Sequence, residues 1–297
     1  MDSKTTIDAI RVGLAAKHVE GYDRVTGGCI NEGRGYKIDN DRLVFVKSNA
    51  DETSNVMFDG EFEGLKAIDR TGTVRVPRPI KVFKHPKSGY MFAAEYLDIR
   101  GLQSYAAQLG RSLAQLHLYN IRRLQSKASQ QSHVGGQTAG SNNEPITQFG
   151  FHVTTCCGLI PMPNDWCDSW PEFFARNRLQ RQVDLIAEKH NDRELLEQWS
   201  ELQLKFDNFF QKGCDNIQPS LLHGDLWGGN AGEIDDQPVL FDPACFYGHS
   251  EFELSIAHMF GGFPTAFYDA YHSEIPKADG FAERLPLYQL FHYLNHW

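Results

Sequence analysis

Residues 220–249, SLLHGDLWGGNAGEIDDQPVLFDPACFYGH, set Asp225, Asn230 and Asp242 among apolar runs. An unpaired carboxylate in a packed core is costly, so a segment carrying two of them and an amide needs something to satisfy them. A divalent cation carrying phosphate would do so. Asn230 follows Asp225 by five residues, and the apolar stretch PVLF before Asp242 reads as a short strand returning the chain to the same place. An aspartate can accept the proton of an attacking hydroxyl, while an amide oxygen and a second carboxylate hold magnesium. A lone His-Gly-Asp is as often a turn or a cap. His, Gly, Asp, Asn and a downstream Phe-Asp-Pro together are far more specific.

These groups need a scaffold, and 297 residues suffice for one large domain or two lobes. Partial apolar periodicity predicts a short helix over residues 5–19. Residues 25–49, VTGGCINEGRGYKIDNDRLVFVKSN, read as strand, Gly-rich turn, strand, Asp-Asn turn and strand. Phe58, Phe62, Leu65 and Ile68 recur at helical spacing. Residues 74–97 predict two strands about the turn HPKSG. The first third is therefore expected to be antiparallel sheet with one helix. Beyond residue 100 the pattern turns helical, with Tyr105, Leu109, Leu113 and Leu116 on one face. Residues 124–145 are rich in Ser, Gln and Gly and read as a surface loop. Further helices are expected between Pro171 and Phe210 and after the motif segment.

Apolar content of 41% and charged content of 23% are those of an ordinary globular chain. A net charge of −9 argues against a nucleic-acid surface, which needs a basic stripe. No secretory leader, lipidation signal or membrane-length apolar run is visible, so no membrane partner is expected and a cytoplasmic location is the default. The six cysteines contain no C-x-x-C pair and suit no zinc site.

HGDLWGGN resembles the catalytic loop of protein-kinase-like small-molecule kinases, in which HGD stands where protein kinases carry HRD. The resemblance implies an α+β, two-lobe protein-kinase-like fold, with a small antiparallel β lobe over residues 1–97 and a larger helical lobe over residues 98–297. It assigns Asp225 as catalytic base, Asn230 and Asp242 as magnesium ligands, and ATP as the phosphate donor. Lys47, closing VFVK, resembles the strand lysine that binds the α- and β-phosphates. Glu61 would hold it in place; Glu63 is the rival, less suited because the Phe58, Phe62 and Leu65 face turns Glu61 toward the cleft. Gly27 and Gly28 in TGGCINEG would form a phosphate-covering turn, although an ordinary tight turn explains them equally well. AAEYLD resembles the interlobe hinge, with adenine bonded to the backbone of Glu95 and Leu97.

GGCINEGRGY, FVKSN, MFDGEFEGL, FGFHVTTCCG, NDWCDSWPEFF, HGDLWGGN and DPACFYGHSEFELS together are similar to the fructosamine kinase family, over nearly the whole chain apart from residues 124–145. The resemblance implies ATP-dependent phosphorylation of ketosamines, free or on glycated proteins, at the sugar O3. The phosphate is then eliminated beside the C2 carbonyl and the amine is released, which is deglycation and protein repair. Trp227 either stacks on the substrate or packs under its loop. His223 is expected to brace the loop, and Glu253 to anchor the following helix to it. Cys29, beside Arg24 and Arg34, is expected to be a redox-sensitive thiolate able to link two chains into an inhibited Cys29–Cys29 homodimer. The alternatives are a kinase of another small alcohol, aminoglycoside- or choline-like, and a non-catalytic nucleotide-binding regulator.

Overall fold

The computed structural model describes residues 4–23, 31–131 and 144–297. Helix α1 (Lys4–Gly13) precedes strands β1 (Val19–Asp23), β2 (Glu32–Ile38) and β3 (Arg42–Asn49). Helix α2 (Ser54–Thr71) follows, then β4 (Pro79–Lys84) and β5 (Tyr90–Glu95). The five strands form one antiparallel sheet in the order β1-β2-β3-β5-β4. Helix α1 is shorter than the predicted residues 5–19. Its end is Gly13, Ala15 takes a left-handed φ of 52°, and β-branched Val19 pairs with Ile38 at the start of β1.

Alternation along the strands divides the sheet into two faces. Val44, Val46, Met91 and Ala93 pack with Ile10 of α1 on one side. On the other, Phe92 and Ala94 join Phe58, Leu65 and Ile68 of α2 in the main core. The same period of two sends Lys47, next after Val46, to the α2 side.

The chain continues through β6 (Arg100–Gly101) into α3 (Ala106–Gln131). The expected surface loop over residues 124–145 is corrected here. Its first part completes α3, because a Gln-, Ser- and Lys-rich stretch suits the exposed end of a long helix as well as a loop. Strands β7 (Thr155–Cys157) and β8 (Ile160–Met162) form a small hairpin. Helix α4 (Trp170–Phe173) runs through a π-helical turn, Phe174–Gln180, into α5 (Arg181–His190), followed by α6 (Arg193–Gln203). Strand β9 (Ser220–Leu222) leads into the motif segment, then come β10 (Ala231–Glu233), β11 (Pro238–Leu240), β12 (Phe246–Gly248), α7 (Ser250–Phe260), α8 (Thr265–Glu274) and α9 (Phe281–Asn295). Strand β10 lies between β11 and β6, while β12 pairs with β9. The hairpin that returns the chain to Asp242 is thereby tied to the segment following β5. No helix among the described residues is long and apolar enough to cross a membrane.

The helical lobe is centred on aromatic side chains. Trp170 stacks near Phe174 and Phe246, and its indole N–H donates to the Tyr288 hydroxyl at 2.9 Å. That hydroxyl lies 2.7 Å from His249 Nδ1. Burial drives the pKa of His249 down to about 3 and that of His292, on α9, also down to about 3. Neither ring nitrogen of His292 meets a hydrogen-bond partner among the described residues. Both imidazoles are neutral in the fold and charge readily in the unfolded chain. The unfolded state therefore binds more protons below pH about 6.5, and stability falls with pH through that window. We expect denaturant midpoints to drop between pH 6.5 and 5, each histidine contributing about 2 kcal/mol. His292→Phe should flatten this dependence by one histidine's share, and an unchanged slope in that variant would exclude His292 as a source.

Candidate active site

Lys47 is delivered by the β3 alternation and is 7% exposed; Glu61, on the buried face of α2, is 8% exposed. Lys47 Nζ lies 2.7 Å from Glu61 Oε1 and 2.5 Å from Asp242 Oδ1. One cation thus sits between two carboxylates from different parts of the chain. Burial works against charge on Lys47, but Asp242 and Glu61 together raise its pKa. Burial also pushes Glu61 up to about 7, with Lys47 opposing and Asp242 reinforcing the shift. Glu63 is engaged elsewhere, 2.9 Å from Lys66 Nζ and 3.1 Å from His152 Nε2.

The loop after β9 is held from beneath. Glu253 of α7, fully buried, accepts the backbone N–H groups of His223 at 2.5 Å and Gly224 at 3.0 Å. Gly224 has a φ of 85°, and a methyl there would lie 2.2 Å from the Ala244 carbonyl oxygen, so only glycine fits. His223 Nδ1 accepts the Asp225 N–H at 3.3 Å, which leaves Nε2 to donate to the Phe241 carbonyl at 2.9 Å. The Asn230 amide donates to the Asp225 carbonyl oxygen at 2.9 Å and to its carboxylate Oδ2 at 3.0 Å. The loop is stitched to the segment bearing Asp242, just after β11, by Phe241 N–H to Asn230 O and Ala244 N–H to His223 O. Asp242 occupies the left-handed region, φ 57°, a strained backbone for a residue with a Cβ. These contacts collect Asp225, Asn230 and Asp242 on one side of the cleft and Lys47 and Glu61 on the other.

Asp225 is half-buried, and its pKa is raised. Burial is the main cause; His223 and the Asn230 amide oppose it, and the Asp242 and Glu253 carboxylates add to it. A carboxylate so placed can take a proton from a hydroxyl brought against it. For a metal, the donors are the Asn230 amide oxygen and the Asp242 carboxylate, whose side chain is 42% exposed. Among the described residues no group of three or more His, Cys, Asp or Glu forms a metal cage. That donor set suits magnesium carried on nucleotide phosphates, which takes one or two protein carboxylates and fills its other positions with phosphate and water.

The remaining predicted residues are distributed as follows. Glu95 ends β5, with its N–H donated to the Arg78 carbonyl at 2.9 Å and its side chain 2.5 Å from Arg75. The Leu97 carbonyl accepts the Ile99 N–H at 3.0 Å. Trp227 is 41% exposed, with its ring over Gly229 of the same loop and 6.3 Å from the Phe260 ring. Gly27, Gly28 and Cys29 lie outside the described residues. Sequence reasoning did not single out Phe260 or the buried Arg178. A Gly60-x-x-x-Gly64 spacing on α2 was visible and marks a close approach of that helix to its surroundings.

Comparison with known proteins follows the same line. The family model for fructosamine kinase matches residues 3–297. The chain is 51% identical over 284 residues to ketosamine-3-kinase of Mus musculus, covering 96% of this chain and 91% of that protein. It is 36% identical over 274 residues to the chloroplastic protein-ribulosamine 3-kinase of Arabidopsis thaliana, covering 92% and 76% of the two chains. A crystal structure from Haemophilus somnus 129PT, provisionally assigned as a fructosamine-3-kinase, superposes with a TM-score of 0.72 at 27% identity, over 99% of this chain and 88% of that one.

Proposed function

The chain belongs to the fructosamine kinase family, and from that premise we propose that it transfers the γ-phosphate of ATP to O3 of ketosamines, the sugar adducts of amines, free or on glycated proteins. The supporting observation is the meeting of Lys47 with Glu61 and Asp242 beside a loop that carries Asp225 and Asn230. Residues 1–97 serve as the nucleotide lobe and 98–297 as the catalytic lobe. Lys47, positioned by Glu61, binds α- and β-phosphate oxygens. The adenine edge meets the backbone of Glu95 and Leu97, and Gly27 and Gly28 cover the phosphates. Asn230 and Asp242 hold magnesium, which when bound neutralises phosphate charge.

Asp225 orients the O3 hydroxyl and receives its proton as the O3–phosphorus bond forms and the bond to ADP breaks. Its raised pKa brings it closer to that of a useful base. Trp227 offers an indole face to the C–H face of the sugar and to its cationic amine. The product carries a phosphate leaving group beside the C2 carbonyl, so elimination frees the amine and completes deglycation. The location is cytoplasmic. Cys29 is the site of reversible oxidation through a Cys29–Cys29 link between two chains, a reading that rests on its Gly-rich surroundings in the sequence.

Incubation with ATP, magnesium and fructosyl- or ribulosyl-lysine, followed by phosphorus–proton NMR, should locate phosphate on O3. Turnover of an aminoglycoside or choline instead of any ketosamine would overturn the assignment. Asp225→Asn should lose at least about a thousandfold in kcat while keeping its ATP affinity. The wild-type acid limb should fall at higher pH than an ordinary aspartate would give, since protonated Asp225 is inactive. Trp227→Ala should raise KM for the ketosamine about fivefold or more, from about 1 kcal/mol of lost stacking, with KM for ATP unchanged. Under peroxide, the wild type should form a reductant-reversible dimer on non-reducing gels, and Cys29→Ala should not.

A further inference from the structure

Protein-kinase-like enzymes depend on the lysine–glutamate pair, and the helix carrying the glutamate can move. Here that helix is closed in by the helical lobe at two points. A methyl on Gly60, the residue before Glu61, would lie 2.8 Å from the Thr154 carbonyl oxygen and 3.0 Å from Thr155 Cα. These are backbone atoms at the start of β7 and cannot yield as a flexible side chain would. A methyl on Gly64, one turn later on the same face, would lie 3.2 Å from Cys245 Sγ and 3.3 Å from Pro243 Cγ, in the segment that follows Asp242.

The β7–β8 hairpin is itself braced. The Asn164 amide donates to the Val153 carbonyl and the Thr155 hydroxyl, each at 2.9 Å. The Asn164 amide oxygen accepts from Arg178 at 2.6 Å. Arg178 is fully buried, projects from the π-helical turn, donates also to the Pro163 carbonyl, and lies over the rings of Phe173 and Phe246. Its guanidinium head is thus committed to holding the stretch that leads out of β8. Phe246 opens β12, which pairs with β9 immediately ahead of His223, and Gly150 pairs with Tyr247 of β12. One frame therefore runs from α2 through the hairpin and β12 to the loop bearing Asp225.

We infer that Gly60, Thr155, Asn164 and Arg178 are positioning residues that lock α2 inward and hold Glu61 on Lys47 whether or not nucleotide is bound. The segment between Asp242 and α7, residues 243–249, is short and enters the helix directly, with no long activation segment to control α2. The backbone contact at Gly60 takes over that task. Moving α2 outward would uncover Phe58, Leu65 and Ile68, each at most 1% exposed, as well as parting the ion pair.

The inference rests on the proposed kinase reading for its kinetic test, and amide exchange provides a second measurement that needs no turnover. Gly60→Ala should lower kcat at least about tenfold with KM for the ketosamine within about twofold of wild type, while amides of residues 58–65 exchange faster. Gly64→Ala, whose contacts are softer side-chain ones, should give a smaller loss of the same kind, and it serves as the test if Gly60→Ala does not fold. In a Glu61→Gln background neither glycine substitution should lower kcat further, because the frame acts through Glu61. Losses that multiply in the two backgrounds, wild-type kcat in the folded glycine variants, or unchanged exchange in α2 would overturn the inference. Failure of the wild type to phosphorylate any ketosamine would count against the kinase reading, and the exchange comparison would still decide the clamp.

Discussion

The structure is organised around a buried cation shared by two carboxylates. Lys47 arrives from the small sheet, Glu61 from the helix beside it, and Asp242 from the far side of the cleft. Burying an ammonium group is tolerable only with compensation, and removing one partner of a buried pair typically costs about 3–5 kcal/mol. The three side chains therefore hold the two parts of the fold in register. With one positive and two negative groups the cluster carries surplus negative charge, and Asp242 adds to the rise that burial imposes on the Glu61 carboxyl. The exposed Asp242 carboxylate leaves the cluster able to receive further positive charge, as a divalent cation would bring.

The loop that carries Asp225 and Asn230 solves a different problem. Three polar side chains must be aimed into a cleft from a stretch of chain with little regular structure. Fully buried Glu253 satisfies two loop N–H groups, and His223 bridges the loop to the strand before Asp242. The result is an Asp225 held by loop contacts, and in the proposed function such preorganisation is where phosphoryl transfer gains most. The aromatic centre around Trp170 and Tyr288 gives this arrangement a rigid floor. Its buried neutral histidines make the floor sensitive to acid.

Much of this was legible in the residues. The period of two along VFVKS placed Lys47 on a strand end, the period near 3.6 around Phe58 and Leu65 placed Glu61 on a helix, and the HGD…N…D spacing marked one site. These signals are local, and local periodicity survives in a linear string. Where two local readings were physically similar, the string was ambiguous. The polar residues 124–131 suit an exposed helix end and a loop equally, and only their continuity with α3 made them helix. The start of the chain was over-extended because apolar spacing in residues 5–19 does not reveal that Val19 prefers a strand partner.

By itself, the sequence determined the two-lobe class, the family, and the residue types able to perform phosphoryl transfer. Tertiary structure brought Glu61, which the helical face already favoured over Glu63, onto Lys47, and it alone decided that the Trp227 ring lies over Gly229 beside Phe260 and that a buried Arg178 props the hairpin closing on Gly60. Each of these depends on atoms brought together from positions far apart in the chain. Their contact energy comes from packing distances and burial, which no local pattern of residues encodes.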